Sequence, residues 1–229
     1  MHVMPTVKML LGGLGSVRMM RATEDGDLLV VNAARCSFDK EHEMFDEVTD
    51  VGLINFLARE KHLLPFRHPH VTMRMELPIY ILRQLGKHQV GFSWSEVSRR
   101  YITTPPKFHR PNFRKAAPNV KQGSLDELLS PMNAVQAEMV LSMAENKAID
   151  AYNIMLDLQV APEQARTILP QSMITTVVVT GSLLGWHFMV DQRTDPHTQK
   201  ETQQYAHAIA SHMRSVYPIS WEALCVHSS

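Results

Sequence analysis

The sequence predicts an α+β fold: one helix-rich domain with a small, mostly antiparallel sheet. Three observations carry that expectation. Apolar residues recur at helical spacing after Ser130-Pro131 and after Asp195-Pro196. His70–Leu77 alternates apolar and polar residues, which is the pattern of a strand with one buried face. Thr175–Val179 is β-branched throughout and reads as a buried strand. No repeat and no linker interrupts the chain, so residues 1–229 are read as a single domain, with 1–16 as a peripheral lead-in.

The elements follow in order. Gly12-Gly13-Leu14-Gly15 is glycine-rich, but no strand precedes it and no helix follows at the spacing of a dinucleotide motif, so it reads as a flexible lead-in. Val17–Ala22 and Leu28–Ala33 flank Glu24-Asp25-Gly26-Asp27, which predicts a hairpin. Asp50–Glu60 places Val51, Leu53, Ile54, Leu57 and Ala58 on a helical stripe. After the strand His70–Leu77, Pro78 can occupy the first position of a helix that Ile79–Leu85 continues. Ser130-Pro131 opens a long helix with Val135, Met139, Met143, Tyr152, Met155 and Leu156 as its apolar positions. Pro162 starts and Pro170 ends a second helix. Ser182 can cap Leu183–Val190. Asp195-Pro196 caps a last long helix, with Tyr205, Ile209, Met213 and Val216 on its inner side.

Composition excludes several classes. Apolar residues make up 45% and charged residues 20%, enough for a core. Lys+Arg and Asp+Glu both count 23, so any basic site is local rather than a nucleic-acid coat. No run approaches the ~18 apolar residues of a membrane span, and Met9–Leu14 is a poor signal peptide. Two cysteines give neither a disulfide framework nor a zinc set, which suits a reduced, cytoplasmic protein. His62, His68 and His70 lie close together, but Pro65 and Pro69 break any shared helix face, so no metal site is expected. Cys36 follows Arg35, yet without a paired histidine motif it is expected to be packed rather than nucleophilic.

The strongest signal is Arg83–Tyr101. Arg83 and Lys87 are four apart and would share a helix face, with Gln84 and His88 on the adjacent one. Two cations on one stripe repel unless an anion lies between them. Ser98-Arg99-Arg100 adds a hydroxyl and two guanidiniums, groups that suit a phosphate. Leu85, Val90, Phe92, Trp94 and Val97 alternate with these cations and predict partial burial. Tyr101–Lys121 holds four prolines and no acidic residue. Its cations Lys107, Arg110 and Arg114 could attract an anionic ligand tail; the alternative is a solvated surface loop.

The segment resembles the signature of flavin-dependent thymidylate synthases: Arg-His-Arg, seven or eight residues, then serine. Here it stands as Lys87-His88-Gln89, eight residues and Ser98. Other blocks resemble the family in the right order: Asn32-Ala33-Ala34-Arg35, His62–His68, Lys121-Gln122-Gly123-Ser124, Ala165–Pro170, Thr180–Leu183 and Arg193–Gln199. The resemblance implies an α+β homotetramer with active sites between subunits. It implies conversion of dUMP to dTMP, with carbon from methylenetetrahydrofolate, FAD as hydride relay and NADPH as reductant. It puts Lys87, His88 and Gln89 on FAD, with His62, Leu64, Glu96 and Ser182 beside the cofactor. It puts Gln84, Lys87, Ser98, Arg99, Arg100 and Arg166 on dUMP. It makes Arg193 the catalytic group, at the uracil edge as N3 ionises, and implies no metal, membrane or nucleic-acid partner. Lys87 and Gln89 replace two arginines of the signature, so the planar fork is lost at both positions. Phe92 falls near a position that is often serine, and Phe188 near one expected to be asparagine. Two rival readings remain: a related flavin enzyme leaving a hydroxymethyl or other one-carbon group, and a single-stranded nucleic-acid module using the basic loop with Phe108 and Phe113.

Overall fold

The computed structural model describes residues 7–102, 104–118 and 124–227. The chain runs β1 (Val7–Leu10), β2 (Gly15–Ala22), α1 (Gly26–Arg35), α2 (Thr49–Arg59), β3 (His70–Pro78), α3 (Ile79–Leu85) and β4 (Phe92–Glu96). It continues with β5 (Arg114–Ala116), β6 (Ser124–Leu128), α4 (Pro131–Asp157), α5 (Pro162–Ala165), β7 (Ile174–Ser182), α6 (Leu183–Thr194), α7 (Lys200–Val216) and α8 (Pro218–Val226). Five strands form an antiparallel sheet in the order β1-β2-β3-β7-β4, and β5 and β6 form a separate two-stranded ribbon. The α+β expectation holds. Lys121-Gln122-Gly123 lies outside the described residues.

The sheet's alternation builds the core. Val71, Met73, Met75 and Leu77 of β3 are fully buried, as are Val17 of β2 and Val179 of β7. Onto this face pack Val30 and Val31 of α1, Ile54 of α2, Ile81 and Leu85 of α3, Trp186 of α6, and Tyr205 and Ile209 of α7. On the opposite face Thr72 and Thr180 hydrogen-bond through their hydroxyls at 2.9 Å.

Three expectations are corrected here. Leu28–Ala33 is not the second strand of a hairpin but the body of α1. Strand β2 finds its partners in β1 and β3 instead, so long-range pairing overrides the local turn signal. Gly26 is needed for another reason: a Cβ there would lie 2.1 Å from the Tyr217 ring. Next to it, the Asp27 carboxylate accepts from the Ile219 and Ser220 amides, capping α8. The glycine-rich lead-in is a tight turn joining β1 to β2, so it delivers an edge strand to the sheet. The last long helix starts at Lys200 rather than at Pro196, and α8, which was not expected, follows it.

Helix α4 lies apart from the sheet. Ser130 caps it by accepting from the Asn133 amide. Of its expected apolar positions only Tyr152 is buried; Val135, Met139 and Met143 are more than half exposed in the single chain. Glu145 anchors it from the other side, accepting from Ser172 Oγ at 2.7 Å and from Arg110 Nε at 3.3 Å. No helix among the described residues is long and apolar enough to cross a membrane.

Candidate functional site

Strand β4 organises the candidate residues. It is an edge strand, paired among the described residues to β7 alone, from Phe92 opposite Gly181 to Glu96 opposite Val177. Phe92 fixes its first end. Its ring meets Trp186 edge-on at 4.8 Å and fills a slot over two glycines. A Cβ on Gly181 would lie 2.3 Å from that ring, and one on Gly185 would lie 3.1 Å from it. The four residue steps of β4 span about 13 Å. The candidate residues collect at its two ends.

Beyond Glu96 the chain turns through Ser98, Arg99 and Arg100. These three, with Glu96, Arg166 and Lys107, line a cavity of about 600 Å³. Arg99 is 92% buried. One of its terminal nitrogens donates to the Thr104 carbonyl, and its guanidinium lies 5.7 Å from the centre of the Tyr152 ring. Its Nε is buried with no acceptor among the described residues. A buried guanidinium with an unmet N–H is set up for an anion. Ser98 Oγ accepts from the Arg100 amide and from Arg100 Nε, at 3.3 and 3.2 Å, which ties the turn together. Glu96 shares this cavity; its Oε1 accepts from Thr175 Oγ1 at 2.9 Å. Its place is therefore with the arginine cluster, away from the Lys87-His88-Gln89 turn.

At the other end of β4, helix α3 stops at Leu85 and the chain turns at Gly86. Arg83 and Lys87 therefore do not share a helix face, and both are exposed, as is Gln89. On this side the expected partial burial applies to His88 and not to Arg83 or Lys87, whereas Arg99 beyond β4 is buried. The last turn of α6 brings Arg193 across. Its Nε donates to His88 Nε2 at 3.1 Å, and its Nη2 donates to the Gln84 carbonyl at 2.9 Å. Burial pushes the Arg193 guanidinium below its usual range. Burial, and then the charge of Arg193, hold the His88 imidazole below the ordinary histidine range. The Gln84 side chain is held in turn: its Nε2 donates to Gln199 Oε1 at 2.7 Å, and its Oε1 accepts from Thr202 Oγ1 at 3.0 Å. Gln199 lies in a block singled out by resemblance without a role; Thr202 was missed, because a threonine in the first turn of a helix carries no local signal.

The remaining candidates sit differently. Ser182 is buried; its amide donates to the Gly91 carbonyl at 3.0 Å and its Oγ caps α6 at the Gly185 amide at 3.1 Å. It braces the turn that carries Gln89 from behind. His62 and Leu64 lie on the exposed loop after α2, with Leu64 67% exposed. The His62 and Phe56 rings meet nearly at right angles, 5.8 Å between centres. Cys36 is exposed rather than packed, and Cys225 is exposed too. Among the described residues no cluster of histidine, cysteine and carboxylate could hold a metal ion.

The basic loop is corrected most. Its own sequence lacks acids, but the fold supplies them. Arg114 makes two hydrogen bonds to Glu201, at 2.8 and 2.9 Å. Arg110 pairs with Glu145, and Lys115 with Glu127. Of the three cations expected to draw an anionic tail, only Lys107 faces the cavity.

The thymidylate synthase complementing protein family model matches residues 18–219. A flavin-dependent thymidylate synthase of Thermus thermophilus is 33% identical over 214 residues, covering 93% of this chain and 76% of its own. One of Kosmotoga olearia is 32% identical, covering 91% of this chain and 89% of its own. Among solved structures, the UMP/dUMP methylase PolB of Streptomyces cacaoi, bound with 5-Br dUMP, superposes with a TM-score of 0.82 at 27% identity. That match covers 93% of this chain and 95% of PolB.

Proposed function

The chain belongs to the thymidylate synthase complementing protein family, and on that premise we propose that it methylates dUMP to dTMP, with methylenetetrahydrofolate as carbon donor, FAD as hydride relay and NADPH as reductant. One observation carries the reading: a guanidinium anchored by His88 and Gln84 at one end of β4, and an arginine-lined cavity at the other. In this reading Ser98, Arg99, Arg100 and Arg166 receive the nucleotide phosphate, and the unmet Nε of Arg99 supports that role. Arg193 faces the uracil edge. As N3 loses its proton to solvent water, the guanidinium stabilises the negative charge that spreads over the ring and makes C5 nucleophilic. Gln84 and Lys87 complete the nucleotide contacts on that side.

The exposed Lys87 and Gln89, together with the exposed apolar Leu64 on the loop after α2, suit a flat ring carrying a diphosphate, so the donor set fits a flavin. Bound there, with His62 and His88 as neighbours, the flavin supplies the hydride chemistry. The protein's share is to orient the nucleotide and to keep Arg193 fixed.

The two clusters stand at opposite ends of β4, so one chain offers two half-sites. We read each as completed by another copy in a homotetramer. The uncovered stripe of Val135, Met139 and Met143 on α4 supports assembly. The exposed, unbridged cysteines suit a reducing, cytoplasmic setting.

Mass spectrometry of the product from dUMP, methylenetetrahydrofolate and NADPH tests the reading. A gain of one methyl group is expected; a hydroxymethyl product would favour the rival flavin reaction. Arg193→Ala should lower turnover by roughly 10²–10³-fold while the protein stays yellow. Near-normal turnover would remove Arg193 from its role, and a purified protein that never binds added FAD would overturn the flavin reading.

A further inference from the structure

Arg193 is held by two acceptors of different kinds. The Gln84 carbonyl cannot titrate, and the residue behind it is braced by Gln199 and Thr202. The His88 Nε2 can. A guanidinium has only donors, so the 3.1 Å contact from Arg193 Nε requires a lone pair on that nitrogen. The imidazole must then be neutral, with its proton on Nδ1.

We propose that His88 is a positioning residue for Arg193: neutral, it fixes the guanidinium against the turn that carries Lys87 and Gln89, and protonated, it releases it. This rests on Arg193 acting at the uracil edge. The elements around His88 leave little else to compete. Helix α6 presents Arg193, β4 presents the Trp94 indole to the His88 carbonyl, and α3 presents the Gln84 carbonyl to the same guanidinium. The neighbouring Lys87 points its charge to solvent from an exposed position. A proton on His88 Nε2 would set two cationic donors face to face, and Arg193 would keep one anchor out of two. Burial and Arg193 itself favour the neutral imidazole, so the clamp is closed at neutral pH and opens in acid.

Two measurements on the full chain test this. Histidine Cε1 NMR of the protein labelled with ¹³C follows the His88 titration without any substrate. Arg193→Met should move that titration upward, because a cation beside the ring is gone; an unmoved titration would overturn the pairing. The second is the pH profile of kcat/KM for dUMP. The wild type should show an acid limb that follows the His88 titration. His88→Asn, which keeps an acceptor that does not titrate, should flatten that limb whatever its level of turnover. His88→Phe, which has no acceptor, should hold kcat/KM roughly 10²-fold below the wild-type neutral plateau, the scale of a misplaced group, and converge with the wild type in acid. An unchanged acid limb in His88→Asn would overturn the proposal. If dUMP is never turned over, the enzyme reading falls by itself and the NMR titration alone decides the pair.

Discussion

Replacing Arg114 by methionine should destabilise the protein substantially. Arg114 comes from the basic loop and meets Glu201 in the first turn of α7 with two parallel hydrogen bonds. Their side chains are only 15% and 5% exposed. Burial alone would push the Glu201 carboxyl up, but the Arg114 hydrogen bonds and Glu201's own amide hold it below its usual range. Breaking such a buried pair from one side costs about 3–5 kcal/mol, because the other charge is stranded. Glu201 keeps its favourable place at a helix N-terminus, worth about 0.3–1 kcal/mol, so about 3 kcal/mol is expected. For a chain of this length that lowers Tm by about 6–12 °C. The assay is thermal unfolding at fixed protein concentration, with Arg114→Met, Glu201→Gln and the double variant compared. The double variant should recover part of the loss, since it leaves no ion stranded. Acid should narrow the gap between Arg114→Met and wild type, because a stranded Glu201 takes up a proton readily. A loss below about 1 kcal/mol would show that the pair does not hold the loop. So would a double variant no better than Arg114→Met.

Three further outcomes follow from the geometry. Gly181→Ala drives a methyl into the Phe92 ring and should cost about 1–3 kcal/mol by denaturant unfolding. Phe92→Leu should soften that loss, and additive losses would refute the slot. His88, His109, His187 and His212 are all held below the ordinary histidine range, chiefly by burial. Their depressed values mean that the unfolded chain binds protons first, so stability is full above about pH 6.5 and falls as pH drops through the folded values. Tm measured from pH 8 to pH 5 should fall on the acid side, and a flat profile would contradict it. If the turn carrying Gln89 holds the flavin as proposed, Gln89→Arg adds a charge-assisted donor there, and FAD titration should show about tenfold tighter binding.

Much of the fold is legible in the sequence because it rests on local pattern. The alternation of β3, the β-branched run of β7 and the serine caps of α4 and α6 need no knowledge of distant residues. Residues 28–33 fail for the opposite reason. Leu28, Leu29, Val30 and Val31 suit strand or helix equally, and the choice is made by what β2 pairs with elsewhere. Helix α8 does carry a local signal, with Pro218 at its first position and Trp221 and Leu224 three residues apart. The site divides the same way. Its arginines are visible as types in a short stretch, but their partners are not. Arg110 meets Glu145, 35 residues on, and Arg114 meets Glu201, 87 residues on, so a loop that reads as an anion trap is largely neutralised within the fold. The bracing of Gln84 by Gln199 and Thr202 spans more than a hundred residues and has no local trace.

Strand β4 works as a ruler. Extended backbone has nearly fixed length per residue, so five residues set the distance between the strand's two ends, where the two proposed half-sites lie, more firmly than any loop could. Phe92 locks the zero mark into its glycine slot, and pairing to β7 locks the graduations. Inserting one residue within β4 would shift the spacing by about 3.3 Å and turn every later side chain to the wrong face.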